Sequence, residues 1–201
     1  MTPRAHAFDT PTRGPAVPDP LAEPRSGGVP HGVPHGVPHE TLHEPPHVRA
    51  ATLDDLATVV ELRIALLREY AEHRLYGRLR PDAERRAFAS YRVQLQSPDQ
   101  IILLAERGAE IAGILRCVDA LGSPLLYPDR HAYISSVYVR PAHRRTGVLR
   151  ALFDEARAWC LARGLTEMRL HNSSSNAAAI ASWHALGFDV VEQVRTLRIG
   201  G

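Results

Sequence analysis

The 201-residue chain contains no lysine, so all 24 of its basic residues are arginine. The chain therefore has no lysine amine for Schiff-base chemistry or for self-acetylation. Cysteine is nearly absent as well: Cys117 and Cys160 are far apart in sequence, and neither belongs to a CxxC pattern. This usage argues against a disulfide framework or a zinc finger and predicts a reducing compartment.

Long apolar runs are also missing. No stretch approaches the roughly 20 consecutive apolar residues of a membrane-spanning helix, and the first residues lack the layout of a secretory signal. We therefore expect a cytoplasmic protein with no membrane partner. The formal net charge of +2 is too small to indicate a nucleic-acid partner. A hydrophobic content of 44% is enough for one buried core.

Residues 1–47 differ from the rest of the chain, because they contain 11 of the 16 prolines and six of the 11 histidines. Their few large apolar residues and many prolines predict a disordered or extended N-terminal tail. An alternative is a weak metal-binding or pH-responsive segment, because five histidines recur at every fourth position: His31, His35, His39, His43 and His47. Prolines oppose a helical histidine stripe, although a flexible chain can still collect imidazoles around Zn, Ni or Cu. We predict a passive tail and no required metal.

From residue 48 to residue 201 the pattern predicts one folded domain with the element order β-α-α-β-β-β-α-β-α-β. The apolar spacing and cap signals place four helices at 52–70, 81–96, 145–163 and 176–186. The strand signals fall at 47–51, 101–106, 111–118, 131–139, 166–170 and, as one or two strands, 188–199. This order predicts an α/β (α+β) layer fold with a mixed sheet of six to seven strands and about four helices. The two strands joined through helix 145–163 should be parallel.

The most informative segment follows the strand that ends at Val139. Arg144, Arg145 and Gly147 form a short turn, and a helix begins at once. The unpaired N–H groups and positive dipole end of that helix, with two guanidiniums, favour an anion such as pyrophosphate. Gly147 permits a close approach of the backbone to the phosphates. The GxxxxGK(S/T) pattern of a nucleotide P-loop is absent.

These residues resemble the GNAT (Gcn5-related N-acetyltransferase) superfamily. The acyl-CoA motif of that family, Q/R-x-x-G-x-G/A, matches residues 144–149 at Arg144 and Gly147, whereas Leu149 replaces the usual small residue. A second similarity is Asn176-x-x-Ala179, then Trp183 and the Leu186-Gly187-Phe188 triplet. The resemblance covers residues 48–201.

The resemblance implies that strand 131–139 splays from strand 166–170, with the pantetheine arm between them. Main-chain groups would bind the arm, the N–H groups of the turn would hold the pyrophosphate, and an N–H near Val137 would stabilise the oxyanion. The implied cofactor-binding residues are Val137, Tyr138, Val139, Arg144, Arg145, Thr146, Gly147, Val148, Leu149, Asn176, Ala179 and Trp183.

The candidates for the reacting centre are Tyr133, Ser135 and Trp183. Trp183 occupies the position of the family's frequent tyrosine acid; since an indole N–H has no useful acidity, it would pack beside the thiol end or serve as a plain core aromatic. Strand alternation places Tyr133 and Ser135 on the face of Val137, where Tyr133 would hold water or substrate rather than act as a base. His131 and His171 are alternative titrating groups.

The resemblance implies an acetyl-CoA-dependent N-acetyltransferase from a bacterium that acts by direct attack of a primary amine in a ternary complex. A small-molecule acceptor is the first choice, because the chain has no added peptide-recognition module. The alternatives are a catalytically silent acyl-CoA-binding sensor or scaffold, and a protein or peptide N-acetyltransferase. A homodimer is also possible.

Overall fold

A computed structural model describes residues 45–199, so the predicted tail lies almost entirely outside the described part of the chain. The strands are β1 (His47–Ala50), β2 (Gln100–Arg107), β3 (Glu110–Leu121), β4 (Arg130–Val139) and β5 (Met168–Leu170). The helices are α1 (Leu56–Glu69), α2 (Ala83–Gln94), α3 (Val148–Ala162) and α4 (Ala177–Ala185), with short 3-10 turns at Leu53–Asp55 and Pro141–His143. None of the helices within residues 45–199 is long and apolar enough to cross a bilayer.

The five strands form one sheet in the order β1-β2-β3-β4-β5. The first three pairings are antiparallel, and β4 and β5 are parallel because α3 crosses between them. The mixed α/β architecture, the parallel pair and the four flanking helices confirm the predicted fold class.

The sheet separates two apolar cores, and alternation along its strands assigns each side chain to one of them. On the first side, called the α3 face, Leu115 and Cys117 of β3 pack with buried residues of α3. On the second side, called the α1/α2 face, Ile114 of β3 packs with α1 and with Tyr91 of α2. The same strands therefore contribute side chains to both apolar cores.

The start of α1 shows how local sequence sets an element. The Thr52 N–H donates to Asp55 Oδ2 over 2.8 Å, which confirms the cap signal at Thr52, although a 3-10 turn precedes the α-helix. Arg49 of β1 donates to both oxygens of Asp55 over 2.8 Å. This bidentate pair holds the pKa of Asp55 to about 2 and joins β1 to the beginning of α1.

Two sequence expectations about element bounds are wrong. Residues 188–199 form no strand, so the sheet has five strands rather than six to seven. The neighbouring β5 pairs over only three residues and offers a short edge, and the apolar side chains of this segment are exposed, with Val191 at 91% and Ile199 at 95%. Helix α3 begins at Val148 rather than at Arg145, because Arg145 and Gly147 both have positive φ.

Candidate active site

The parallel strands β4 and β5 share only a short contact, because β5 is three residues long. Their pairing runs only from Ala132 opposite Met168 to Ile134 opposite Leu170. Strand β4 then continues to Val139, and within residues 45–199 no strand pairs with it on the β5 side beyond Ile134. Because β5 ends at Leu170, the main-chain groups of residues 135–139 on that side of β4 have no strand partner among residues 45–199 and are available to an extended ligand; this stretch is called the opening. The splay of the two strands stays a prediction.

A bulge interrupts β4 at the opening. Ser136 has a φ of 52°, and the β3–β4 register shifts between Ile114 and Arg116. Ser136 is buried, and its Oγ lies 3.0 Å from the hydroxyl of Tyr91 on α2. A bulge of this kind commonly re-aims a strand beside an active site.

The bulge changes which face the side chains of β4 occupy. Val137 packs against the core of the α3 face, together with Ile134. Ser135 instead accepts a hydrogen bond from Arg116, which alternates with Cys117 on β3 and so lies on the α1/α2 face. The expectation that simple alternation places Tyr133 and Ser135 on the same face as Val137 is therefore wrong.

The 144–147 turn lies at one end of the opening. Arg145 has a φ of 64° and Gly147 a φ of 86°, and left-handed residues in a turn direct successive N–H groups into an anion-binding concavity. The carbonyl of Thr146 accepts from Arg107 over 2.5 Å, and the Thr146 hydroxyl donates to the His143 carbonyl over 2.7 Å. These two hydrogen bonds hold the backbone of the turn in place.

Gly147 caps the N-terminus of α3. A Cβ atom built on Gly147 meets no atom within 4 Å, so the space above the turn is open. Glycine is required here by its φ rather than by a neighbouring protein atom. The side chains of Val148 and Leu149 pack into the α3-face core, so Leu149 does not occupy the turn and only the backbone of these residues is offered to a ligand.

Arg144 is engaged by the protein itself. Its Nη2 donates to Glu69 Oε1 over 2.5 Å and its Nε donates to the carbonyl of Val139 over 3.0 Å. The guanidinium also lies 5.8 Å from the centre of the Tyr138 ring, whose side chain is buried on the α1/α2 face. Burial and Glu69 raise the pKa of Tyr138, which is therefore a neutral phenol. Arg144 connects the end of α1 to the end of β4, beside the turn.

In the second segment that resembles the family, residues 176–188, the matching residues mainly cap a helix and pack in the core. Asn176 Oδ1 accepts the N–H of Ala179 over 3.0 Å, which accounts for their spacing, and its Nδ2 donates to the hydroxyl of Tyr70 over 3.3 Å. Trp183 is 8% exposed and packs edge-on against Phe188, with ring centres 5.5 Å apart. The structure thus places Trp183 in the α3-face core, and its role at the thiol end stays a prediction.

Tyr133 and His171 were separate candidates in the sequence, and the structure brings them together. The Tyr133 hydroxyl lies 2.8 Å from His171 Nδ1, just beyond the end of β5. Burial raises the pKa of Tyr133 above its ordinary value, so the phenol stays protonated at neutral pH. His131 is buried, and burial lowers the pKa of its imidazole. The sequence could not pair Tyr133 with His171 because the β4–β5 register was unknown.

Arg116 is a site residue that the sequence analysis missed. It is half-buried on β3, where its Nε donates to Gln100 Oε1 over 2.7 Å and its Nη1 donates to Ser135 Oγ over 3.1 Å. Burial lowers the pKa of this guanidinium. The sequence signal that could have identified Arg116 is its position as an arginine in the middle of an otherwise apolar strand.

Metal ligands do not gather in the described part of the chain: within residues 45–199 no group of three His, Cys, Asp or Glu side chains could hold a metal ion. The histidine series of the tail lies outside these residues, except His47, whose Nδ1 is 3.1 Å from Glu106 Oε2.

Several solved structures with this fold are described as acetyltransferases. A GCN5-related N-acetyltransferase from Ralstonia eutropha superposes with a TM-score of 0.64 at 22% identity, covering 77% of this chain and 99% of that one. The aminoglycoside 6'-N-acetyltransferase of Acinetobacter haemolyticus gives 0.62 at 22% identity, covering 77% and 98%. A Clostridium acetobutylicum protein, described as a predicted acetyltransferase and determined with acetyl-CoA, gives 0.61 at 18% identity, covering 76% and 96%.

Sequence comparison agrees with the fold. The aminoglycoside N(6')-acetyltransferase type 1 of Klebsiella aerogenes is 38% identical over 72 residues, which cover 36% of this chain and 47% of that protein. The chain spans less than half the length of the curated relatives it matches. The sequence model of the acetyltransferase (GNAT) family matches residues 64–188, which is more than half of the chain. The protein therefore belongs to the GNAT family of acetyltransferases.

Proposed function

We propose that the protein transfers the acetyl group of acetyl-CoA to a primary amine of a small molecule. The observation that carries this proposal is the opening beside β4 beyond the end of β5, which includes the bulge at Ser136 and leads to the 144–147 turn. Membership of the GNAT family supports acetyl transfer, and the aminoglycoside acetyltransferases among the relatives support a small amine acceptor.

The residues at the opening fit the chemical groups of acetyl-CoA. The left-handed Arg145 and Gly147 present N–H donors at the start of α3, where a pyrophosphate would be stabilised. Beyond Ile134, the edge of β4 that lacks a strand partner on the β5 side matches the amides of a pantetheine arm, which need both donors and acceptors. The open space above Gly147 leaves room for the phosphates.

The reaction that follows from this placement is direct attack of the amine on the thioester carbonyl. A C–N bond forms, the C–S bond breaks, and the N–H of Val137 beside the bulge stabilises the oxyanion. An alkylammonium with a pKa of about 10.4 must first lose a proton to become a nucleophile, and water beside the Tyr133–His171 pair receives it. The nitrogen becomes cationic again when the C–N bond forms, and its surplus proton passes, directly or through water, to the leaving thiolate, so that the products are the amide and the free thiol. Orientation and oxyanion stabilisation supply most of the rate.

Two glycines, one just before and one just after α3, allow a matched test of cofactor binding. Gly147 and Gly164 flank the helix, have φ values of 86° and 70°, and both would place a new Cβ in open space. Gly147→Val and Gly164→Val therefore impose similar backbone strain, but only the first changes the 144–147 turn. Thermal unfolding of each variant and of the wild type is measured with and without acetyl-CoA at matched salt.

A ligand at 100 times its Kd stabilises a protein by about 2.7 kcal/mol, which raises Tm by several degrees. We expect this shift in the wild type and in Gly164→Val and its loss in Gly147→Val. Absence of a shift in the wild type at millimolar acetyl-CoA would contradict the proposal.

Turnover is then measured as release of free thiol with a panel of small amines. Thiol release that depends on the amine supports the enzyme. A clear acetyl-CoA shift without release for any amine, protein N-termini and lysine peptides included, would instead identify a silent acyl-CoA-binding domain. The panel thus separates the transferase from the scaffold.

A further inference from the structure

The α1/α2 face contains a half-buried cation that lacks an anionic partner. Both hydrogen bonds of Arg116 are made to neutral oxygens, those of Gln100 and Ser135, and no Asp or Glu in the described 45–199 region forms an ion pair with it. Its Nη2 has no protein acceptor there either. A desolvated charge is costly unless it is paired, so a guanidinium held in this way is suited to an anion brought by a ligand.

The surroundings strengthen the positive charge. Arg63 of α1 is partly buried and close enough that its charge further disfavours the charged form of Arg116. Arg63 likewise has no carboxylate partner among the described residues. By contrast, Arg140 and Arg144, at the far end of β4, are paired with Glu61 and Glu69. Arg116 and Arg63 are therefore two neighbouring guanidiniums that have no ion pair among the described residues.

Arg116 lies beside the candidate reacting centre. Ser135 lies opposite Arg116 in the β3–β4 register and is followed at once by the bulge at Ser136. Successive strand residues rise about 3.3 Å, so Ser135 and Val137 are at most about 7 Å apart. The Tyr133–His171 pair lies on the same face, two residues from Ser135. An anion on Arg116 would thus lie within a few carbon atoms of the amine under attack.

We propose that Arg116, assisted by Arg63, binds a carboxylate of the acceptor, so that the acetylated amine belongs to an amino carboxylate. The fixed hydrogen bonds of Nε and Nη1 orient the guanidinium and leave Nη2 for the ligand. This inference rests on the proposed transferase function and specifies its substrate class. It distinguishes the chain from the polycationic acceptors named for its aminoglycoside-acetyltransferase relatives, which two unpaired guanidiniums would repel.

The test uses amino carboxylates of increasing chain length, each paired with its amide, so that only the negative charge differs. Thiol release gives kcat/KM for each pair in the wild type and in Arg116→Gln, Arg116→Lys and Arg63→Gln. Arg92→Gln, at an exposed position of α2, is the control. Tm without ligand verifies that each variant is folded.

We expect the wild type to prefer the best carboxylate to its amide by about ten- to a hundredfold, the range of a charge-assisted hydrogen bond. Arg116→Gln should lose this preference, Arg116→Lys should keep part of it because a lysine lacks the planar fork, and Arg63→Gln should reduce it less. Arg92→Gln should leave it unchanged. Equal use of carboxylates and amides by the wild type would overturn the inference.

A binding measurement separates this inference from the transferase itself. The same carboxylates are added to the wild type loaded with CoA, which cannot react, and Tm is recorded. A Tm rise that Arg116→Gln abolishes supports the anion site even if no amine is acetylated, and in that case the proposed transferase function fails alone. No rise with any carboxylate would show that the anion site does not exist, whatever the turnover results are.

Discussion

The two faces of the sheet are made from the same strands but have different chemistry. On the α3 face, β3 contributes Leu115 and Cys117, and the Cys117 and Cys160 sulfurs lie 3.6 Å apart in a fully apolar setting. The hydrogen bond with the Cys160 sulfur, together with burial, raises the pKa of Cys117, so it is an inert thiol. On the α1/α2 face the same strand contributes Ile114 and then Arg116, which has only neutral partners. Position parity along β3 thus places Cys117 in an apolar core and Arg116 on the face of the candidate reacting centre, which also has a core of its own at Ile114.

The largest effect that follows from this division is on stability at the α3 face. Leu152 of α3 is fully buried there, so Leu152→Ala should reduce the free energy of unfolding by about 2–5 kcal/mol through lost burial and a cavity. Urea denaturation measures the loss, and acetyl transfer per folded molecule should change little. Val93→Ala, at a position of α2 that is 68% exposed, is the control and should change stability by less than about 0.5 kcal/mol. A loss near that of the control would mean that packing in the α3-face core contributes little to stability.

The fold could be predicted from the sequence where local pattern determines structure. Apolar spacing, the Thr52 cap and the glycine after α3 gave the helices, and the βαβ connection gave the parallel pair. The strand over 188–199 was wrong because a strand also needs a partner, and β5 is too short to offer one. Pairing is a tertiary property that periodicity does not report.

The candidate site was predictable in its main chain and less so in its side chains. The 144–147 turn depends on contiguous residues, and the expected turn before α3 is present. Beyond the bulge at Ser136, the side chains of β4 lie on the opposite faces from those that simple alternation predicts. No local sequence signal marked that serine as a residue with positive φ. Arg116 meets Ser135 only through the β3–β4 register, which the sequence alone leaves open.

The bulge itself gives the second prediction, of intermediate size, and tests whether the α1/α2 face controls the reacting centre. Tyr91→Phe removes the hydroxyl that lies 3.0 Å from Ser136 Oγ, so the left-handed Ser136 loses a contact worth about 1 kcal/mol. We expect kcat/KM for acetyl transfer to fall about tenfold, mainly in kcat, because the oxyanion donor at Val137 is less well positioned.

Making Tyr91→Phe in a Ser136→Gly protein tests whether the Tyr91 hydroxyl acts by holding the bulge. Glycine adopts a φ of 52° without strain, so the hydroxyl of Tyr91 is less needed to hold the bulge. In the Ser136→Gly protein, Tyr91→Phe should therefore cost less than threefold in kcat/KM. An undiminished tenfold loss would show that Tyr91 acts by packing against the core rather than by positioning the bulge.

The smallest effect is expected at Tyr133, although it is the side chain on this face that most resembles an acid or base. Tyr133→Phe keeps the ring beside His171 and removes only the 2.8 Å hydrogen bond, and the raised pKa of Tyr133 keeps its hydroxyl protonated in the wild type. A protonated phenol cannot accept the amine proton, so kcat should fall less than tenfold and the acid limb of the pH–rate profile should keep its position. Tyr127→Phe, the same change at a position that is 93% exposed, is the control and should lower kcat by no more than twofold. A thousandfold loss at Tyr133 with the control unaffected would identify Tyr133 as a proton-transfer group. The α1/α2 face would then supply a catalytic hydroxyl as well as the residues that bind the acceptor.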